Sequence, residues 1–307
     1  MRKLQSMVGH VACWLAAILV IVVCFGMVAY LLEQGFHALS WQFLTTDPNP
    51  SLTADVPQGI RVPIVGTFIL AFGGTMVMIL PALGSASYLS EYMREEWPLT
   101  RAIRLGLEVL AGVPSVVFGM FGLAFFSLPF LGFLSSKTDS NASTSFGRSF
   151  AIGAIVFAVH VLPFVIKVME EAIRSVPQSY RLGAAALGMT KWRTTRKVVL
   201  PSALPGLVTA IVLGLGLIIG DTAIVWLTVG GSMTMSGADA WWNPQNWLAV
   251  LVGSGSTLTT FIFYNSPAGE GNAPEQAYAA AFVLIIIVLI LNIVIGWIGR
   301  SRHLKGA

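Results

Sequence analysis

Six stretches of this chain run for about 18 residues or more almost without a charge, and a bilayer core about 30 Å thick is crossed by roughly 20 apolar residues of helix. They are Val8 to Leu32, Pro63 to Leu89, Val109 to Leu134, Ser149 to Ile166, Gly206 to Gly230 and Ala277 to Gly299; only the fifth holds a charge, at Asp221. With 10% charged residues in 307 and a mean hydropathy of +0.78, the chain cannot coat a soluble globule of this size. The sequence therefore predicts an all-α integral membrane protein with six transmembrane helices. Pro81, Pro114 and Pro163 mark kinks or breaks, which helices in lipid tolerate where neighbours satisfy the freed carbonyls. The first run is too long for the core of a signal peptide and is expected to stay as a helix. Trp247 to Tyr264 competes as a further span, but its serines and threonines and the Trp241, Trp242 and Trp247 cluster favour an interfacial or re-entrant helix. The polar stretch from Ser135 to Ser149 reads as an external turn.

Basic residues set the orientation. With a cytoplasmic N-terminus, all of the 18 Lys and Arg except Arg61, Lys137 and Arg148 fall inside, so both termini are expected in the cytoplasm. The same distribution makes the charge a topology signal and leaves no nucleic-acid patch. Cys13 and Cys24 both lie in the first run, where they pack as small hydrophobes.

The chain lacks the chemistry of several enzyme classes. It has no Gly-Lys-Ser or Gly-Lys-Thr phosphate loop, so any ATP is expected to be bound by a separate subunit. His10, His37, His160 and His303 are far apart, which argues against a metal site. Asp221 follows Gly220, but Ile218 breaks the Gly-x-Gly-Asp pattern of intramembrane aspartyl proteases. Ser254 and His160 have nothing in sequence to orient them as a nucleophile and base, and His160 reads as a hydrogen-bonded helix-packing residue.

The most informative segment is the basic stretch of 167–205, expected as a cytoplasmic loop. Its alanines favour a helix over Gln178 to Trp192, and Gly188 permits a turn. Trp192 to Leu200 mixes basic and apolar residues, and Pro201 is expected to stop it before the next span.

At these residues the sequence resembles the permease family of ABC importers, whose cytoplasmic signature reads Glu-Ala-Ala, three residues, Gly, nine residues, an aliphatic, any residue, Leu-Pro. Ala184, Gly188, Val198, Leu200 and Pro201 keep that frame, while Leu182 and Gly183 depart from it. The resemblance extends from about Pro63 to Gly299. It looks closest to the membrane subunits of the phosphate-specific transporter, the A-type subunit in particular, through VPIVGTF at Val62 to Phe68, SYLSEY at Ser87 to Tyr92, LAGVPSVVFGMFGL at Leu110 to Leu123, VLPFVIKVMEEAIRSVPQSYR at Val161 to Arg181 and VVLPSALPGLVTA at Val198 to Ala210. It implies a type I importer permease fold with an N-terminal helix and external loop over 1–62 and a permease domain over 63–305. It implies a bacterial cytoplasmic membrane location and assembly with a homologous permease subunit, two ATPase subunits that bind the ATP, and an external substrate-binding protein. Ala184, Gly188, Leu200 and Pro201 would form the ATPase coupling loop.

Charges within or beside spans are the pathway candidates. Lys167 and Glu170, one turn apart, can pair on one helix face, and the matching Arg-x-x-Glu of phosphate permeases points to conduction; a plain interfacial pair is the alternative. Glu108 is expected at the interface beside Arg104. The family's Arg-Ala-Ile-Gly-Glu-Thr is matched here by Leu217 to Thr222, so the acid survives as Asp221 and the arginine does not. Three functions stay open: a phosphate permease, a permease for another oxyanion or small solute, or a diverged signalling or scaffold subunit.

Overall fold

The structure is a computed structural model and describes residues 2–48, 59–94, 96–135, 147–231, 243–271 and 273–301. Trp241, Trp242, Lys137 and most of the 135–149 turn lie outside them. Secondary structure among the described residues is helical throughout: α1 (Arg2–Gly35), α2 (Trp41–Thr45), α3 (Arg61–Glu91), α4 (Pro98–Ala111), α5 (Ser115–Phe126), α6 (Phe150–Arg174), α7 (Gln178–Ala186), α8 (Lys191–Thr194), α9 (Leu200–Gly220), α10 (Ala223–Thr228), α11 (Trp247–Val252), α12 (Leu258–Asn265) and α13 (Pro274–Ser301). Five helical stretches are long and apolar enough to cross a membrane, and six if the bent pair α4 and α5 counts as one crossing.

The caps explain several starts. Ser40, Ser149 and Thr257 accept backbone N–H groups of the first turns of α2, α6 and α12, which would otherwise lack acceptors. Pro163 lies buried inside α6 and Pro81 exposed inside α3, both within continuous helices.

Two expectations about element boundaries are corrected. The third apolar run is not one helix: α4 and α5 meet at 97°, and α5 is followed by a 3-10 turn at Pro129–Leu134. Pro114 supplies no N–H and drives the preceding Val113 away from helical geometry, so the absence of charge across 109–134 conceals a corner. Nor does Pro201 stop the preceding helix. Lys191–Gly220 is continuous through a π-type turn at Thr195–Val199, where the Leu200 N–H reaches back to the Thr195 carbonyl. That wider turn carries the chain past the proline with the helix unbroken.

α3, α6 and α9 form the centre. Their contacts rely on small residues, the usual device where lipid removes the hydrophobic drive for helix association. A Cβ added at Gly214 would fall 2.7 Å from Val165, and one at Gly206 would fall 2.5 Å from Ala172. α1 is different: none of the apolar window of α1 is buried, against 61% for that of α6. It packs along α13, where Gly35 meets the Ala279 backbone and Tyr30 meets Tyr278 edge to face. Leu15, Val22 and Phe25 face outward, as lipid demands. A second cluster joins Phe43 and Ile60 to Leu258, Phe261 and Ala280.

Candidate functional site

The basic segment folds mostly as helix, and its geometry starts at Gly188. α7 ends in a left-handed residue: Gly188 has φ +74°, its N–H donates to the Ala185 carbonyl, and the Met189 N–H donates to the Ala184 carbonyl. This double bond pattern satisfies the last carbonyls of the helix and favours glycine, which has no Cβ to clash. Ala184 is buried against the bundle, Leu200 is half-buried and Pro201 is exposed. Outward from the same surface stand Tyr180, Leu182, Leu187 and Trp192, with Leu187 83% exposed. α7 thus presents an alanine-rich helix edged by exposed apolar side chains.

Below this surface is a cavity of about 640 Å³ bounded by Glu91, Arg174, Arg181, Leu182 and Lys191. The Lys191 ammonium sits 5.1 Å from the centre of the Tyr92 ring, within cation–π range. Arg181 spans from α7 to Glu91 at the end of α3, Nη2 to Oε1 2.7 Å.

A second cavity, about 620 Å³, lies between α4 and α6 and is bordered by Arg104, Glu108, Lys167, Glu170 and Glu171. The expected pairing of Lys167 with Glu170 does not form. Glu170 is turned into the bundle, where its Oε1 accepts from Arg104 at 2.6 Å and from Arg174 at 3.0 Å, whereas Lys167 is exposed. Arg104 reaches across to α6, and Glu108 borders the same cavity beside it. Three carboxylates against two cations border this space, so charge alone gives it no preference for anions.

Asp221 sits in the break between α9 and α10. Its Oδ1 accepts from the Ile224 N–H at 2.9 Å, capping the first turn of α10, and the Thr259 hydroxyl lies 3.5 Å from its backbone carbonyl. Opposite it, α11 and α12 are both far too short to cross a bilayer, as expected of a re-entrant segment. The turn between them is held without charges: the Thr67 hydroxyl accepts the Leu258 N–H, and Thr257 exchanges hydrogen bonds with Thr260. His160 packs its ring 4.8 Å from that of Phe118 with Nδ1 unpartnered among the described residues, so the hydrogen bond expected of it is not made there. Among the described residues no metal-holding cluster occurs.

Residues 82–302 match the family described as the binding-protein-dependent transport system inner membrane component. The chain belongs to this family. Among the permease's relatives, a probable ABC transporter permease protein, YqgI of Bacillus subtilis, is 31% identical over 98% of this chain and 95% of the relative. The phosphate transport system permease protein PstA 2 of Mycobacterium bovis is 30% identical over 98% and 91%. PstC of Mesorhizobium japonicum is 29% identical over 76% and 74%. Solved structures share the fold at lower identity: a bacterial alginate importer with TM-score 0.58, 16% identity and coverage of 94% and 96%, and the MetNI methionine transporter with 0.55, 21%, 80% and 94%. The permease has the fold of type I ABC importer permeases; among its described residues the secondary structure is all helical and holds five candidate crossings, or six with the bent pair. It is thus a membrane permease subunit of an ABC importer.

Arg104, Arg174, Arg181 and Glu91 were not singled out as functional in the sequence. Arg104 lies 66 residues from Glu170, and Arg181 lies 90 residues from Glu91, so no local spacing announces either pair.

Proposed function

We propose that this permease forms half of a pathway for inorganic phosphate across a bacterial cytoplasmic membrane. The observation that carries the proposal is the likeness, along almost the whole chain, to a permease named for phosphate transport. The other half of the pathway is a homologous permease subunit. An external binding protein delivers phosphate, and two ATPase subunits bind and hydrolyse ATP. Both termini and the α7 surface face the cytoplasm, where Ala184, Gly188, Leu200 and Pro201 belong to the coupling region that meets the ATPase. Alternating access follows when the ATPase pair closes and α7 is displaced.

Lys167, Glu170 and Asp221 divide the work along the pathway. Glu170 anchors Arg104 and Arg174, which leaves Lys167 as the exposed cation able to attract an oxyanion. Asp221 fixes the α9 to α10 break, and the further positive charge the pathway needs comes from the partner permease. Leu217, 47% exposed on α9 where the resemblance expects arginine, favours a second reading in which the solute is another oxyanion or a small solute that needs less positive charge.

The test is uptake into vesicles carrying all subunits. Asp221→Asn keeps the α10 cap, because Asn accepts the same N–H, yet removes the charge, so impaired uptake of inorganic phosphate is expected. Leu217→Arg is expected to be tolerated or to strengthen anion dependence. Native uptake by Asp221→Asn makes Asp221 a packing residue. ATP-driven uptake of sulfate in preference to phosphate establishes the second reading.

A further inference from the structure

Arg181 ties α7 to two other helices at once. Its Nε and Nη2 donate to the Glu91 carboxylate at 3.1 and 2.7 Å, and Nη2 and Nη1 also donate to the carbonyls of Ile173 and Val176. The Ile173 carbonyl belongs to the last turn of α6, where acceptors outnumber helical donors, and Val176 lies two residues beyond that helix. Glu91 is the last residue of α3. Both side chains are withdrawn from water, 18% and 8% exposed, so salt screens the pair little. Two guanidinium nitrogens on one carboxylate oxygen, with two further bonds to fixed carbonyls, hold the planar group in angle as well as distance, which a lysine contact does not.

The other end of α3 is fastened just as closely. The Thr67 hydroxyl accepts the Leu258 N–H at 2.9 Å, and Gly66 lies so near the turn before α12 that a Cβ there would fall 2.1 Å from the Ser256 carbonyl oxygen. From Thr67 to Glu91 the chain is one helix, about 36 Å long at 1.5 Å per residue, with Pro81 as its only internal proline. A stiff element held at both ends transmits displacement without needing a jointed path.

We infer that Arg181 is a positioning residue: through Glu91 it turns movement of α7 into movement of α3, and the segment 253–257 at the far end is what α3 moves. The inference rests on the importer reading and not on phosphate being the solute. Coupling of this kind is a difference in free energy between two states of one element, and a double-mutant cycle can measure it.

The experiment uses the full chain assembled with its ATPase in lipid vesicles. Cys13 and Cys24, both exposed on α1, are replaced by Ala, and a single cysteine is placed at Leu248, 77% exposed on α11. Its rate of reaction with an impermeant thiol reagent is read with and without ATP and vanadate, so no solute is required. With the Arg181–Glu91 pair intact the rate is expected to change about five-fold or more, in the range usual for coupled sites. Glu91→Gln and Arg181→Gln should each abolish that response while the ATPase still co-purifies. The double variant should be no worse than either single one, and Arg181→Lys should be intermediate. A native response in Glu91→Gln, independent effects that multiply in the double variant, or loss of the ATPase from the complex overturns the inference; the last would make the pair a docking device. No response in a parent that hydrolyses ATP overturns the inference as well, because the segment 253–257 then does not follow α7; an assembled complex that hydrolyses no ATP is the separate result that counts against the importer reading.

Discussion

The two ends of α3 are held by opposite chemistries. At Glu91 the fastener is an ion pair in which two guanidinium nitrogens converge on one carboxylate oxygen, backed by two carbonyls; at Thr67 it is a hydroxyl, a backbone N–H and a glycine pressed against a carbonyl. The ionic end lies beside the basic segment, at the edge of the apolar span, where arginines keep part of their surface in water. The neutral end grips a turn between two short helices, where the backbone must be satisfied inside the protein. A charged fastener is lost with the charge of either partner, whereas a neutral one responds mainly to shape.

Gly66→Ala should therefore have the largest effect on stability. The new methyl would meet the Ser256 carbonyl oxygen, and backbone cannot retreat as a flexible side chain can. A loss of about 3 kcal/mol is expected, read as a lower melting temperature in detergent. Parent-like melting would show that the neutral end is loosely packed and would dissolve the contrast.

A second ionic contact, on α6, gives a charged counterpart: Glu170→Gln removes the shared partner of Arg104 and Arg174. Both arginines are partly exposed, at 35% and 41%, so the loss should fall below that of a fully buried pair, at about 2 kcal/mol. Thr67→Val comes next, at about 1–2 kcal/mol, because it leaves the Leu258 N–H unpaired. The comparison sharpens if the penalty of Thr67→Val is the same at ~0.1 M and ~1 M salt while that of Glu170→Gln shrinks.

The smallest expected effect separates turn from surface at Gly188. Asparagine tolerates left-handed backbone and should cost a few tenths of a kcal/mol, whereas Gly188→Leu should cost about 1 kcal/mol. A Cβ there meets nothing within 4 Å, so both side chains would project outward. Both variants should then weaken ATPase co-purification. Parent-like capture by Gly188→Asn would mean that the glycine serves the turn alone.

The spans were legible because lipid imposes a composition rule that any long uncharged run displays. The Gly188 turn was legible too, since glycine after an alanine helix is a local signal. The corner between α4 and α5 was only half legible: Pro114 marked a break, but apolar residues on both sides hid a 97° turn. The continuity of α8 into α9 was misjudged because proline loses its helix-breaking effect when a π-type turn precedes it. Arg181 with Glu91 and Arg104 with Glu170 join residues from separate elements, and along α6 itself Glu170 pairs with Arg174 four residues on and not with Lys167 three residues before it. Charge partners in a bundle are chosen by neighbouring helices, which one sequence does not reveal.

The seating of α1 has a consequence for how the protein is made. Among the described residues its one extensive contact is with α13, where Gly35 lies against Ala279. A ribosome adding about 5–20 residues per second takes roughly 10–50 s to travel between those two positions. For that interval α1 is in the bilayer with its final neighbour unmade, so its placement is the closing step of assembly and not the opening one. Proteolysis or chaperone capture during synthesis should find α1 unattached long after α3 and α6 have joined.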